Sequence, residues 1–582
     1  MSTYDILIKN GTVVDGSGAP ARDADVAISA GRIVEVGRVS GTASRVIDAA
    51  GRLVTPGFVD IHSHLDAQFA WDPIGSSSCW HGVTSVVVGN CGVTFAPVRA
   101  EDHGRLARLM ESVEDIPADA IMSGLAWNWQ TYGEYYDALD AMPKGINVGG
   151  MVGHCALRFY AMGERCLDSK NQPTDEELAV MVEAVDEALA AGALGVSSSR
   201  ILGHRTPEGQ PVPGTFAERR ELFALADPLR IRGRGLFELV PRFETDDPAN
   251  WAKSQREIDW MADMSRVTGR PVTYSFFQFP HLPTQYRALL EMTRRCNAEG
   301  ANVRPQTTAR GIGVLFGPRI RSPFDRNPGW RAMRKLSVAE KLAVYADPAR
   351  RAELVGEANE NGPFADELQR LYVLEGPEPD YTPDPSRALP AIAAARGVSL
   401  AEAYMDVMLA SDGSAYINHP HLNPTFEAVE EMLSDPMVVL GLADSGAHVG
   451  QIMDASQPTW LLAYWVRKRG LFGIEEAIRR LTSDTASLFG IHDRGLLAPG
   501  ARADVNVIDF ARLKLHMPDF VHDFPANAGR LVQKADGYDY TLVNGRVFME
   551  GGEHTGALAG ELLRSGVDLR PAARAGWETR HA

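Results

Sequence analysis

Thr55-Pro-Gly-Phe-Val-Asp-Ile-His-Ser-His64 is the stretch whose reading decides the fold of this 582-residue chain. An apolar run opened by Pro-Gly ends in two imidazoles, His62 and His64. In a strand, residues two apart point to the same face, so Ser63 is a spacer and both rings aim at one point. Two histidines converging in an apolar interior are poorly solvated unless a cation such as Zn²⁺ engages them. A chance pair on a surface strand is the competing reading, and the apolar run before the pair weighs against it. The pair is expected to supply the first ligands of a catalytic metal.

Working outward, residues 52 to 308 alternate apolar, strand-like runs with helical patterns. After the first strand, the candidates are 84–92, 146–155, 194–199, 235–240, 271–277 and 301–308, with an eighth at 438–444. Near-continuous apolar strands alternating with helices predict a parallel arrangement. One helix is sharply marked: Thr174 and Glu177 form a capping box, and Gly192 closes it. The fold class expected is α/β, a (β/α)8 TIM-like barrel covering residues 56–490. Residues 309–437, rich in Pro and charge, read as an insertion between strands seven and eight, a lid or substrate wall over the mouth. Short alternating strands with Asn10-Gly11 and Ala30-Gly31 turns occupy residues 1–55, and Asn544-Gly545 punctuates a similar pattern in 491–550. The two ends are expected to pack as one small β-sandwich, followed by a C-terminal tail, 551–582.

Composition narrows the function. A formal net charge of −17 disfavours nonspecific binding to nucleic acid or anionic membranes. No apolar run approaches the ~20 residues that span a bilayer, and no secretory signal is visible. Five scattered cysteines argue for a reducing compartment. The expectation is a cytoplasmic enzyme acting on a small molecule, without nucleic-acid or membrane partners and compatible with a homo-oligomer.

Reacting groups in such a barrel sit at the C-terminal ends of the strands. Strand two ends in Gly89-Asn-Cys-Gly92, where Cys91 is either a buried hydrophobe or a thiolate ligand facing the histidine pair. Strand three ends in Gly153-His-Cys155, and His154 is either a supporting hydrogen-bonder or a direct participant. Strand eight ends in Asp444-Ser-Gly-Ala-His448. An aspartate after an apolar run is costly to bury without a partner. Asp444 could touch the metal and then carry a proton from bound water to the leaving nitrogen, or simply cap the next helix. His448 could cap or line the pocket.

These segments, with Gly89-Asn-Cys-Gly-Val-Thr-Phe-Ala-Pro97, Gly153-His-Cys-Ala-Leu-Arg158, Gly192-Ala-Leu-Gly-Val-Ser-Ser198 and Gly495-Leu-Leu-Ala-Pro-Gly-Ala-Arg-Ala-Asp504, resemble the N-acyl-D-amino-acid deacylases (D-aminoacylases) of the amidohydrolase superfamily. The resemblance runs over nearly the whole chain. It implies a metal-bearing barrel beside a small β-sandwich, hydrolysing the amide of an N-acylated D-amino acid. The chain departs from that pattern at strands five and six, where the family presents histidines and a carboxylate-gripping lysine. Here stand Leu236-Phe-Glu-Leu-Val240 and Tyr274-Ser-Phe-Phe-Gln278, and no histidine lies between His204 and His281.

One metal, most simply zinc, is therefore expected, on His62, His64 and Asp444, with Cys91 retained. Glu238 takes the place of the strand-five histidine, and three roles stay open for it: fourth ligand, general base or structural ion-pair partner. Arg158, Arg200 and Arg310 are candidates for a substrate carboxylate, with rim salt bridges as the plain alternative. Trp127, Trp129, Phe276 and Phe277 are acyl-pocket or core residues. Two rival functions share the fold: hydrolysis of a cyclic imide, lactam, ureide or carbamate, and a metal-free binding protein.

Overall fold

The apolar runs become short parallel strands in which every residue but Arg304 is buried. A computed structural model describes residues 3–168 and 170–566. Phe58–Asp60, Val83–Val88 and Asn147–Gly150 form one parallel sheet. Val152–Gly153, Gly195–Ser199, Leu236–Val240, Val272–Ser275, Val303–Thr307 and Val439–Leu440 form the other, each pairing with the next. The third strand belongs to both. It breaks at Met151, whose N–H reaches Val88 O, while Leu194 N–H reaches Gly150 O. At the far edges Ser63 and Ser445 make a parallel bridge, with His64 N–H on Ser445 O at 2.7 Å.

Helices follow these strands for the reasons legible in their sequence. Asp175–Ala191 begins at Thr174 with both capping-box bonds made and ends at Gly192 at φ 108°. Its buried residues Leu178, Met181, Val185, Ala188 and Leu189 recur at helical spacing on one face. The cap contributes about 1 kcal/mol; packing of that stripe against the strands does the rest.

The two chain ends join in one hydrogen-bonded nine-stranded sheet. Leu53–Pro56 joins them, parallel to Thr3–Val13 on one side and antiparallel to Val505–Ile508 on the other. Ala30-Gly31 and Asn544-Gly545 form tight hairpins with positive φ at both residues. Asn10-Gly11 does not turn the chain. Asn10, at φ 63°, sits inside Thr3–Val13 where the pairing slips by one residue, so the same left-handed residue that suits a turn here makes a bulge.

Two further segments singled out in the sequence have structure of their own. The segment expected as a tail from residue 551 pairs back onto the molecule as far as it is described: Glu553–His554 extends the nine-stranded sheet, and Leu563 is buried with its N–H on Val148 O. Apolar Leu562-Leu563 covers a strand edge that would otherwise be open. Residues 567–582 lie outside the described residues. The segment expected as an insertion carries a three-stranded sheet of Ile312–Phe316, Tyr372–Leu374 and Tyr416–Leu422 and an aromatic core around Trp330, Tyr345 and Tyr404. It reaches back to the strand-eight loop through Leu315 N–H on Gln451 O at 2.7 Å.

Candidate metal centre

His62 and His64 follow the Phe58–Asp60 strand, fully enclosed, their rings 5.5 Å apart. Asp444 N–H bonds His62 O at 3.1 Å, which locks the strand-eight loop against the histidine pair. The Nε2 atoms converge on one carboxylate oxygen: Asp444 Oδ1 is 3.2 Å from His62 and 3.9 Å from His64. Cys91 Sγ lies 3.4 Å from His62 Nε2. Ligand atoms of His62, His64 and Cys91 all fall within 4.8 Å of one another. Four of the expected metal residues thus come together.

The opposite nitrogens of the same rings face two other buried acids. Glu238 Oε1 stands 3.9 Å from His62 Nδ1, and Glu114 Oε1 stands 3.6 Å from His64 Nδ1. Each imidazole therefore has one nitrogen turned toward Asp444 and the other toward a buried carboxylate that stands beyond hydrogen-bond distance. Glu238 is held by Cys91 N–H at 3.2 Å and Gln306 Nε2 at 3.5 Å. Its place beside Nδ1 favours support of His62 over ligation at Nε2. Cys91, Asp444 and His448 all have positive φ, 57°, 47° and 48°. Non-glycine residues pay about 1–3 kcal/mol for such conformations, a cost usually met at functional sites.

The electrostatics of this cluster call for a cation. Burial pushes the Asp444 and Glu238 carboxyls up to about 8, and Asp60 and Asp66 up to about 7. Burial also raises Glu114 and the Cys91 thiol and lowers His62 and His64. Among the described residues no arginine or lysine figures in the charges acting on Asp444, Glu238, Glu114 or Cys91. Both nitrogens of His64, Nδ1 of His62 and Oε1 of Glu114 have no hydrogen-bond partner. Buried acids, a thiol and unpartnered imidazoles around one point fit a divalent metal and suit little else.

Glu114 was not apparent beforehand, though a signal existed. It ends the His103–Glu114 helix, whose buried stripe is Leu106, Leu109, Met110 and Val113. Glu114 is eight residues after Leu106, an acid on the apolar face. Replacing it, E114Q, is expected to weaken zinc binding about 10–100-fold in chelator competition; unchanged affinity would remove it from the site. His204 also escaped notice. It holds Ser199 Oγ at 2.9 Å at the end of the fourth strand, and burial pushes its imidazole down to about 3.

The expected substrate contacts are placed differently. His154 spends both nitrogens, on Ser198 Oγ at 2.9 Å and Glu221 at 2.7 Å. Arg158 is fully buried and grips Glu221 through Nε and Nη2. Burial acts against the charge of Glu221, yet these two partners hold its carboxyl down at about 2. Arg200 makes the same two-pronged contact with Glu257 at 3.0 Å. These three side chains brace neighbouring helices, the alternative weighed for the arginines. Arg310 lies under the Tyr381 ring, 3.6 Å from its centroid, and its Nη2 reaches Asp454. His448 remains at the mouth, 31% exposed and 3.8 Å from Glu114. Trp129, Phe276 and Phe277 are core residues, and Trp127 stacks on His103.

A histidine pair, a thiol and an aspartate gathered at the ends of parallel strands are a donor set that suits a metal-dependent hydrolase. Residues 45–549 match the amidohydrolase family model, and the chain belongs to that family. It is 30% identical to an N-acyl-D-glutamate deacylase of Alcaligenes xylosoxydans xylosoxydans over 87% of each chain. It is 26% identical to a D-aminoacylase of the same organism, covering 96% of this chain and 97% of that one. The crystal structure of an N-acyl-D-glutamate deacylase from Bordetella bronchiseptica, complexed with zinc and a phosphonate inhibitor, superposes with a TM-score of 0.66 at 26% identity, covering 97% of this chain and all of that one.

Proposed function

We propose that this chain is a one-zinc amidohydrolase that cleaves the amide of an N-acylated amino acid or a closely related amide. The observation that carries the reading is the convergence of His62, His64, Cys91 and Asp444 on one point walled by carboxylates without a counter-cation. The strands are read as a closed (β/α)8 barrel, supported by the shared third strand and the Ser63–Ser445 bridge at its two seams. Residues 309–437 are read as an insertion at the barrel mouth.

His62, His64 and Asp444 would hold the ion, with Cys91 as a fourth donor. Zinc bound there supplies a water of lowered pKa and polarises the scissile carbonyl. Asp444 accepts the water's proton at its carboxylate and returns it to the departing nitrogen. Its position suits the task, since Asp444 lies between the imidazoles and a cavity that it lines. Glu238 and Glu114 hold the two rings in orientation from behind. The enclosed walls exclude bulk water from the reacting groups, which strengthens every charge interaction there.

Metal content by mass spectrometry, measured together with turnover of an N-acetyl-D-amino acid, tests the reading. One zinc per chain, with activity lost on chelation and restored by zinc, is expected. Full turnover by metal-free protein would overturn it.

A further inference from the structure

The cavity beside Asp444 has a chemical character of its own. It measures about 20 Å³, room for roughly one water-sized group. Gln68, Ser77, Asp444, Ser445, Asp454 and Arg530 are among its walls. Arg530 comes from far along the chain, yet it has nothing to offer an anion. Nε and Nη2 hold Asp523, Nη1 holds Ser76 O, and Nη2 also meets Asp72 and Ser76 Oγ.

The other guanidiniums near the strand ends are committed as well. Arg158 and Arg200 are spent on Glu221 and Glu257. Arg242 is the exception: it rests on the Phe216 ring and its charge bears on Glu244, it makes no ion pair among the described residues, and it does not line this cavity. Arg310 keeps Nε and Nη1 unpartnered, but Nη2 is taken by Met453 O, Asp454 and Ser456. Both of the paired edges that a guanidinium offers a carboxylate include Nη2, so no bidentate fork is left. The side chain is also wholly buried beneath Tyr381.

Unspent capacity in the cavity wall belongs to an acceptor. Asp454 is 4% exposed, its Oδ1 is bound to Arg310, the backbone N–H of Gly313 also faces its carboxylate, and Oδ2 makes no hydrogen bond of good geometry. A carboxylate so placed repels another carboxylate and accepts from an N–H. We propose that this cavity is a substrate subsite for a hydrogen-bond donor, with Asp454 Oδ2 receiving the N–H of a carboxamide or ureido group. The substrates are then uncharged amides, such as N-acylamino-acid amides, rather than N-acylamino acids. This inference rests on the amide-hydrolase reading and specifies its substrate class.

The test pairs N-acetyl-D-amino acids with their carboxamides on the zinc-loaded enzyme. The carboxamides are expected to show at least about tenfold higher kcat/KM, roughly one good hydrogen bond plus relief of one charge repulsion. In D454N, Arg310 keeps an oxygen acceptor and the amide NH₂ replaces Oδ2, turning acceptor into donor. That variant should raise KM for the carboxamides about tenfold and leave the KM of N-acetyl amines that lack the donor near the parent value, while kcat shifts alike for both substrate types because the charge of Asp454 bears on Asp444. Its melting temperature separates a binding effect from misfolding, and D454S serves as a second probe of the same loss. Preference for the free acids, or an equal effect of both variants on all substrates, overturns the subsite and leaves the hydrolase intact. Absence of turnover on every compound overturns both.

Discussion

Protein carrying H62A and H64A together is expected to bind less than about a tenth of the zinc of the parent and to lose about 10⁴-fold in kcat/KM. The magnitude corresponds to the several kcal/mol that a bound divalent ion contributes to a developing oxyanion. The two imidazoles supply half of the donors that meet at the centre, and with Cys91 their ligand atoms lie within 4.8 Å of one another. Removing two enclosed rings also opens space in the interior, so a glutamine pair at the same positions controls for volume. Metal analysis and steady-state kinetics on both pairs decide the matter. Retention of one zinc per chain by either would place the ion elsewhere.

The second large effect is at Asp444. D444N is expected to lower kcat by about 10³-fold, within the range for losing a positioned general acid–base group. Asparagine keeps the side-chain oxygen that faces His62 and His64 and tolerates the left-handed backbone at this position, φ 47°. Zinc should therefore stay at about one per chain while the chemical step fails, the opposite pattern from the histidine pair. A fall of less than tenfold would show that the proton travels by another group.

How far the site was legible depends on how each residue is tied to its neighbours. His62, His64, Cys91 and Asp444 follow apolar runs at strand ends, and a strand end has a known direction. Their convergence could be anticipated from alternation alone. Glu238 was visible as a carboxylate in an apolar strand, but its facing atom, Nδ1 of His62, depends on a ring orientation that no spacing encodes. Arg158 and Arg200 followed similar strand ends, and their fate lay with Glu221 and Glu257 on later helices. Nothing local marks such a partner in advance. Asp454 and Arg530 illustrate the same limit, since the cavity that joins them to Asp444 draws on three distant parts of the chain. For the fold, strand order and the union of the two ends were readable from patterning. The bulge at Asn10 and the return of Leu563 were not, because both depend on which strand edge lies open.

The sheet that unites the two ends also sets a schedule for synthesis. Leu53 pairs with Ile508, ~450 positions later. At ~5–20 residues per second, the opening strands leave the ribosome roughly half a minute or more before their partner exists. During that interval the edge of Leu53–Pro56 stands bare, a template that a neighbouring nascent chain could occupy. Yield in the cell should then respond to translation rate and to chaperones that shield β edges, independently of how stable the finished enzyme is.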